Sequence, residues 1–532
     1  MKARSRRAVA ARAGLITILL VWSGAAEAAG GPLTPAERRG RQVFLRGSGS
    51  EGRELTALLG DGATQVSAGI VPCVQCHGWD GRGQAESGIP PSDITWAALT
   101  APEGGTYADG RGRPAHSEAT VARAITLGVD PAGGRLAAVM PRYRLSRAET
   151  DDLIAYLKRL GDDRDPGVTE TSITVGTLLP ATGSLAETGR AIGAVLAAYF
   201  AEINDQGGVH NRRLQLKTAE PAETAPGIAA SVDRFLGAAQ VFAMVGPWIA
   251  GAERELAGLM AREEVPLVGP FTLFPQVGLP LNRQLFYIHP GLESQARLLV
   301  QYAARTGGTQ KRALAVVHPE SEALALVAET AEAEGKRAGW SAVLRITYEP
   351  GRFDPGHLVR DLRRGGPDAL VFLGSGGELA ALGKAAEQVR WSPTLLLPGS
   401  LASQEVLDIP ASFTDRVFLS FPTVPSDQTR AGVAEFRALL DKHTIPPPYL
   451  AAQLSAYAAA KILVEGLRRA GRDLSREKLV TALEGLYNFE TGVTPPISYG
   501  PDRRIGTLGA HIVAVDLEKK SLVLPGQLLA LD

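Results

Sequence analysis

From residue 172 onward, short apolar runs alternate with amphipathic stretches such as 187–204 and 293–305, which have helical spacing. Ten of these runs have the length and composition of buried strands. The predicted strands are 173–179, 214–218, 241–245, 266–269, 285–288, 313–317, 342–347, 369–373, 394–397 and 417–421. Strands alternating with helices predict parallel sheets covered by helices, and ten strands predict two α/β lobes rather than one sheet. Residues 496–525 have the pattern of a β-hairpin.

Residues 31–160 have a different pattern, rich in glycine and loops, with one helix predicted near each end. The first predicted helix covers 35–44 and the second covers 148–160. Ser146 and Glu149 have the spacing of a capping box at the start of the second helix. The polar segment 161–171 is predicted to be a linker. The sequence therefore predicts a small module at 31–160 and a larger one at 172–532.

The first 28 residues have the pattern of a secretory signal peptide. Five basic residues precede an apolar run at 15–22, which is too short to span a bilayer, and Ala26-Glu27-Ala28 has the form of a cleavage site. An uncleaved membrane anchor is the alternative. No later stretch is apolar for long enough to span a membrane, so we expect an exported protein with no membrane span after cleavage.

Composition excludes several classes of protein. Apolar residues make up 45% of the 532 residues, which is ample for large cores and excludes a wholly disordered chain. Lys+Arg and Asp+Glu both number 56, so the formal net charge is zero, and no nucleic-acid partner is expected. With two cysteines in all, a framework of several disulfides is excluded.

Both cysteines lie in one motif, Cys73-Val74-Gln75-Cys76-His77. Two thiols at this spacing reach the two vinyl groups of one haem, and the adjacent imidazole ligates its iron. A redox disulfide is one alternative, but it normally has a strand before it and a helix after it, whereas a glycine-rich loop follows here. A structural zinc site is the other alternative, and it needs four ligands. The motif therefore predicts one covalently bound haem c.

The candidate for the second axial ligand is Met140, since it is the methionine that the sequence places within 31–160. A thioether ligand raises the reduction potential of a haem relative to two histidines. His116 is the rival ligand. Two further alternatives stay open, namely that Met140 fills a gap in the core and that the iron keeps an open position.

Residues 31–160 resemble a class I mono-haem cytochrome c domain. The resemblance depends on Gly40 and Phe44 in the first helix, the C-x-x-C-H motif, Met140-Pro141-x-Tyr143 and the final predicted helix. It implies a small all-α fold, iron ligated by His77 and Met140, and electron transfer. It also implies that Pro90 and Tyr143 pack against the haem, and that the Pro90-Pro91 segment accepts a hydrogen bond from the ligating imidazole.

Residues 172–532 resemble the Leu/Ile/Val-type periplasmic binding proteins of ABC transporters. The resemblance depends on separate short motifs, which are Ile173-Thr174-Val175-Gly176, Pro180-x-Thr182-Gly183, Asn204-x-x-Gly207-Gly208, Val245-Gly246-Pro247 and Pro290-x-x-x-x-Gln295-Ala296. It implies a two-lobed α/β fold of the type I class, with three crossovers between the lobes and a small-molecule ligand. The loop with Thr182, Gly183 and Ser184 is the expected ligand-binding loop, because it follows the first strand.

This chain departs from that family in the loop after Gly246, where the family often has a serine or threonine hydroxyl. Trp248 and its neighbours stand there, and Thr272 is the candidate for a replacement hydroxyl. Glu320 and Glu378 are candidates for an acidic residue that binds an amine. The ligand therefore need not be an aliphatic amino acid, and Trp248 and Phe271 are candidates either to stack on a flatter molecule or to pack between the lobes.

Together, the two resemblances predict a periplasmic haem c electron-transfer protein that carries a solute-binding module. The expected partners are a small-molecule ligand and a periplasmic redox partner such as a dehydrogenase. One alternative is a substrate-binding component of an ABC transporter with an accessory haem domain, which implies a permease partner. Another is a redox or ligand sensor. No enzyme activity is expected, although an open haem would change that interpretation.

Overall fold

The computed structural model describes residues 33–49, 53–60, 64–83, 91–106, 112–161, 165–306 and 313–530. The predicted signal peptide lies outside these ranges, as does part of the predicted linker. The chain forms two compact units, residues 1–164 and residues 165–532. Among the described residues, no helix combines the length and the apolar character needed to cross a membrane.

The helices described in the first unit are α1 Pro35–Arg46, α2 Cys73–His77, α3 Trp96–Thr100, α4 Glu118–Leu127 and α5 Arg147–Leu157. Both predicted helices are confirmed as α1 and α5, and the capping box of Ser146 and Glu149 is present. The two helices pack closely at Gly40, where an added Cβ atom would lie 1.9 Å from the backbone oxygen of Asp152. Glycine is therefore required at this contact, and Phe44 is fully buried beside Tyr156.

The first unit also contains strands that the sequence did not predict. Their bounds are β1 Thr56–Leu59, β2 Thr64–Ser67, β3 Gly105–Thr106, β4 Gly112–Arg113 and β5 Arg142–Arg144. An antiparallel sheet with the order β2-β1-β5 joins the segment between α1 and α2 to the residues just after Met140. The cytochrome-like helices are thus supplemented by a small sheet, and the expectation of an all-α module is corrected in this respect.

In the second unit, the first lobe has a five-stranded parallel sheet with the order β10-β9-β8-β6-β7. The strands are β6 Ser172–Leu178, β7 Arg213–Ala219, β8 Ala243–Val245, β9 Leu267–Val268 and β10 Leu285–Phe286. The helices between them are α6 Ala186–Asp205, α7 Ala225–Ala239 and α8 Glu253–Glu263. All five strands were predicted from apolar runs, which buried parallel strands require because helices cover both faces.

The second lobe has a seven-stranded sheet with the order β12-β11-β13-β14-β15-β16-β17, parallel through β15 and antiparallel beyond it. The strands are β11 Ala313–Pro319, β12 Ala342–Tyr348, β13 Ala369–Phe372, β14 Thr394–Pro398, β15 Val417–Phe421, β16 Ala510–Asp516 and β17 Ser521–Leu529. Its helices are α9 Leu292–Thr306, α10 Glu322–Arg337, α11 Pro355–Gly365 and α12 Gly376–Gln388. The five parallel strands confirm the prediction, and the hairpin begins later than the predicted residue 496.

Three further helices return the chain to the first lobe. They are α13 Arg430–Lys442, α14 Leu450–Ala470 and α15 Arg476–Glu484, and α14 packs against α6 and α15. Leu463 of α14 lies in the same buried cluster as Val195 of α6. Each lobe is therefore built from separate stretches of the chain.

The chain passes between the lobes three times, at residues 287–291, 422–429 and 500–509, here called the first, second and third crossovers. The first and third run side by side, since Tyr287 N donates to Arg504 O at 2.8 Å and Gly506 N donates to Tyr287 O at 2.8 Å. Thr507 N donates to Ile288 O at 3.0 Å. These hydrogen bonds make the two crossovers a paired connection rather than independent loops.

Candidate functional site

The C-x-x-C-H motif forms helix α2, which is one turn long and follows Pro72. Cys73 and Cys76 are three positions apart, so their side chains lie on the same side of the helix. The two thiols are not bonded to each other; Cys73 is half-buried and Cys76 is exposed. Burial raises the pKa of the Cys73 thiol to about 11.

His77 is the last residue of α2, and its ring is fixed by the backbone of a later segment. Its Nδ1 lies 3.1 Å from the carbonyl oxygen of Ser92. Because a carbonyl only accepts, Nδ1 carries the proton and the lone pair of Nε2 is available to a metal. Burial lowers the pKa of His77, which favours the neutral ring. The acceptor is thus Ser92 rather than the expected Pro90-Pro91 segment, and Pro90 itself lies outside the described residues.

Tyr143 links the segment after Met140 to the start of the haem motif. It is the middle residue of β5 and is buried, and its hydroxyl donates to the carbonyl oxygen of Val71. The same hydroxyl interacts with Cys73, and burial raises the pKa of Tyr143. The structure therefore brings Tyr143 to the attachment segment, and its packing against the haem stays a prediction.

Met140 is half-buried in the loop that precedes β5, and its amide donates to Ala137 O at 3.1 Å. The rival ligand His116 is buried two residues before α4, where its Nδ1 lies 3.3 Å from Thr120 Oγ1. Burial lowers the pKa of His116 to about 4, with a contribution from the charge of Arg113.

The residues present fit a covalently bound haem c. Two unbonded thiols lie on one side of a single helical turn, and a neutral imidazole with its Nε2 available comes directly after them. Cys73 and Cys76 would hold the group and His77 would ligate its iron. Among the described residues, no three His, Cys, Asp or Glu side chains are grouped so that they could hold a metal ion of the zinc type.

In the second unit, the predicted solute-binding loop lies at the carboxyl end of β6, which is where α/β sheets place ligands. Thr182, Gly183 and Ser184 are exposed, and Gly183 has a φ of 69°, a conformation that favours glycine. The hydroxyl of Thr182 donates to Glu220 Oε1 at 2.7 Å. Thr182 is therefore engaged by a carboxylate of the chain.

The loops after β8 and β9 lie side by side at the same edge of the sheet. The rings of Trp248 and Phe271 are stacked, with centroids 5.9 Å apart and planes 15° apart. Thr272 Oγ1 donates to Glu253 Oε1 at 2.6 Å and accepts from Phe274 N at 2.9 Å. The structure thus brings Trp248 and Thr272 to this edge with the first loop, but the Thr272 hydroxyl is already engaged by Glu253 at the start of α8.

In the second lobe, Glu378 accepts hydrogen bonds from Tyr348 OH at 3.0 Å and from Ser375 at the start of α12. Glu320 is exposed just beyond β11 and its amide donates to Tyr348 O. His318, the residue before the end of β11, is buried, and its Nδ1 lies 2.9 Å from Pro319 O. Glu378 therefore has a local role in capping α12, and Glu320 remains a candidate at the exposed rim.

Comparison with known families agrees with this architecture. Residues 172–520, more than half of the chain, match the profile of the family described as periplasmic binding protein. The chain belongs to the periplasmic binding protein family. Residues 62–161 match the profile described as cytochrome c. A cytochrome c domain is thus followed by a periplasmic binding protein of the type I fold, and a cytochrome c domain implies a covalent haem c.

Curated relatives of this periplasmic binding protein include the Leu/Ile/Val-binding protein BraC3 of Rhizobium johnstonii. It is 24% identical over 331 residues, which cover 62% of this chain and 87% of the relative. The chemotactic signal transduction system substrate-binding protein BasB of Halobacterium salinarum is 25% identical over 307 residues, which cover 54% of this chain and 68% of the relative. The family implies a small-molecule ligand.

Solved structures share the fold at low identity. A fatty acid ABC transporter substrate-binding protein from Thermomonospora curvata has a TM-score of 0.57 at 18% identity, and the match covers 70% of this chain and 95% of that one. A branched-chain amino acid ABC transporter protein from Thermus thermophilus with bound valine has a TM-score of 0.55 at 17% identity, with 68% and 97% covered. Because proteins described with such different ligands share the fold, the fold does not identify the ligand.

The sequence did not indicate two sets of residues that the structure brings together. Arg142 binds the loop that carries Met140. Asp427 and His511 meet beside the crossovers. Neither set forms a sequence motif, so only the tertiary contacts reveal it.

Proposed function

We propose that this protein is an exported electron carrier with one covalent haem c, joined to a solute-binding module for an amino acid or a small organic compound. The observation that carries the proposal is the arrangement on α2, where two unbonded thiols precede an imidazole whose Nδ1 is engaged by Ser92. When bound, haem c supplies a one-electron iron couple. The pattern of a signal peptide supports export to the periplasm.

In this proposal, His77 and Met140 are the two axial ligands. The hydrogen bond to Ser92 orients the ring of His77 and fixes its tautomer. With both side chains bound, the iron would have no free position for a substrate, so the proposed role is electron transfer and not catalysis. The proposed redox partner is a periplasmic dehydrogenase.

The test uses the full chain, produced in cells that attach haem c. We expect the mass of one haem, its reduced absorption spectrum, and loss of both in the double variant C73S/C76S. M140L should abolish the weak red band of a methionine–iron(III) bond and lower the reduction potential. M260L is the matched control, because Met260 is fully buried in the first lobe of the second unit. A colourless product from the wild type would contradict the proposal.

The hydrogen bonds of two hydroxyls at the carboxyl edge of the first-lobe sheet support a solute other than an aliphatic amino acid. Thr182 and Thr272 both donate to carboxylates of the chain, so while those bonds hold, their protons do not serve a ligand carboxylate. Trp248 and Phe271 offer stacked aromatic surface beside them. Calorimetric titration with amino acids, organic acids and alcohols tests this, and W248A should weaken binding. If no compound binds, the solute-binding role is contradicted.

Two other roles are favoured by the names of relatives. Leu/Ile/Val-binding relatives favour a component of an ABC transporter that serves a permease, and the BasB relative favours a sensor. Uptake of the solute is measured in a strain that lacks this protein. Uptake should fall if the protein serves a permease and should be unchanged if it does not. Equal affinity for the solute in the oxidised and reduced protein would exclude a sensor that couples binding to the redox state.

A further inference from the structure

Arg142 is buried two residues after Met140, and its guanidinium group contacts the backbone of the loop that carries Met140. Nη2 donates to Leu136 O at 3.0 Å and to Ala137 O at 3.2 Å, and Nη1 donates to Met140 O. Three carbonyl oxygens of the segment 136–140 thus converge on one side chain. Because the donors of a guanidinium form a rigid planar fork, they hold these carbonyls in a fixed arrangement.

The backbone of Arg142 is itself held in place. Arg142 is the first residue of β5 and is paired with Leu58 of β1 in the small antiparallel sheet. The next residue, Tyr143, donates from its hydroxyl to Val71 O, close to Cys73. The loop that carries Met140 is therefore connected through Arg142 and Tyr143 to the segment that precedes the haem-attachment helix.

The fold leaves room for the Arg142 side chain at the end of α4. Gly128 has a φ of 68°, and a Cβ atom added there would lie 1.7 Å from Arg142 Nε. Gly128 O also accepts from Leu136 N at 2.9 Å, at the start of the same loop. A side chain at position 128 would displace the guanidinium from the loop, so the glycine and the arginine act together.

We propose that Arg142 is a positioning residue that holds the Met140 loop and so determines how firmly the Met140 sulfur stays on the haem iron. This inference rests on the proposed function, in which Met140 is an axial ligand. A neutral thioether is readily replaced by other ligands, and replacement requires the loop to move. By fixing three carbonyls of the loop, Arg142 opposes that movement.

The experiment measures how readily imidazole replaces Met140 in the oxidised, haem-loaded full-length protein. The variants are R142M, which removes the donors, and R142K, which keeps the charge without the fork. The matched control is R113M, because Arg113 is also buried and its guanidinium also donates to three backbone carbonyls, those of Ala98, Leu99 and Pro114. Imidazole is titrated while the weak red methionine–iron band is followed.

We expect R142M to bind imidazole at least about tenfold more tightly than the wild type, as loss of one charge-assisted hydrogen bond predicts. R142K should lie between the two, and R113M should match the wild type. Equal imidazole affinities for R142M, R113M and the wild type would overturn the inference. If R142M does not accumulate with haem, R142K becomes the test. An imidazole affinity of R142K equal to that of the wild type would then overturn the inference. A wild type without the red band would instead contradict Met140 ligation in the proposed function.

Discussion

The Nε2 atom of His511 lies 3.0 Å from each carboxylate oxygen of Asp427. Asp427 belongs to the second crossover, and His511 is the second residue of β16, just beyond the third. Asp427 Oδ2 also accepts from Val424 N at 2.8 Å and from Thr423 Oγ1 at 3.1 Å. One carboxylate thus connects the second crossover to the strand that follows the third.

We therefore expect D427A to lower the free energy of unfolding of the second unit by about 1–3 kcal/mol, because it leaves buried donors without their acceptor. The measurement is calorimetric unfolding of the full chain. D408A is the control, since Asp408 forms an exposed pair with Lys520, which should contribute less than about 1 kcal/mol. Equal effects of the two variants would contradict the importance assigned to Asp427.

His289 predicts a dependence of stability on pH. It lies in the first crossover, and burial lowers its pKa to about 4, although the charge of Asp427 opposes this shift. The pKa of an unfolded histidine is about 6.5, so between these values the unfolded chain binds a proton that the folded chain does not. The free energy of unfolding should fall with falling pH in this window, by at most about 1.4 kcal/mol per pH unit.

Denaturation by urea at several values between pH 7 and pH 4 measures this slope. In H289Q the pH slope of the free energy of unfolding of the second unit should be smaller, because the contribution of His289 is absent. The control is H357Q, because the ring of His357 is largely exposed on α11. If H289Q and the wild type lose stability in parallel as the pH falls, His289 is not the group responsible.

Gly40 predicts a steric effect in the first unit. In G40A the new methyl group would overlap the backbone of α5 at Asp152, and backbone cannot move aside as the end of a flexible side chain can. We expect a loss of about 1–3 kcal/mol, by overpacking, and a lower yield of haem-loaded protein. G112A is the matched control, since a Cβ at Gly112 meets nothing within 4 Å. A free energy of unfolding in G40A equal to that of the wild type would show that α1 and α5 can move apart with little loss of stability.

The buried charge of Arg504 predicts a large effect of removing its partner. The side chain of Arg504 is fully buried, and its Nη2 donates to Glu484 Oε1 at 2.5 Å, with the guanidinium carbon 4.9 Å from the ring centroid of Phe286. E484Q should cost about 3–5 kcal/mol, because a buried charge loses its counter-ion.

The double variant R504M/E484Q should recover part of that loss, since the buried guanidinium is removed together with its counter-ion. Arg283, the other partner of Glu484, keeps its pair with Glu477. E477Q is the control, because Glu477 pairs with Arg283 at a more exposed position. Unfolding in urea measures all three. A loss in the double variant as large as that of E484Q alone would contradict an origin in the uncompensated charge.

The elements that the sequence predicted well are those encoded by neighbouring residues. Apolar runs predicted the parallel strands of both lobes, and the pair Ser146 and Glu149 predicted the start of α5. The haem-attachment site lies within five consecutive residues, so its thiols and imidazole were recognisable together. The likeness to two families supplied the order of the modules.

The features that were missed depend on pairs far apart in the chain. Strand β1 has only four residues, Thr56-Ala57-Leu58-Leu59, and is stabilised by pairing with β2 and β5, so its sequence alone is too short to predict a strand. The contacts of Arg142 depend on where the loop before it folds. Thr272 was proposed for the solute because of its residue type, but Glu253, nineteen positions earlier, already accepts its proton. Hydroxyl groups reveal their role only when their partners are known.

The interleaving of the lobes has a consequence for dissecting the protein. Strands β6 to β10 precede the second lobe, whereas α13, α14 and α15, which cover them, follow its parallel strands. No single proteolytic cut can release a complete lobe, since either fragment would lack part of its core. Limited digestion within the crossovers should therefore leave a nicked but associated particle, and separating its pieces should require denaturant.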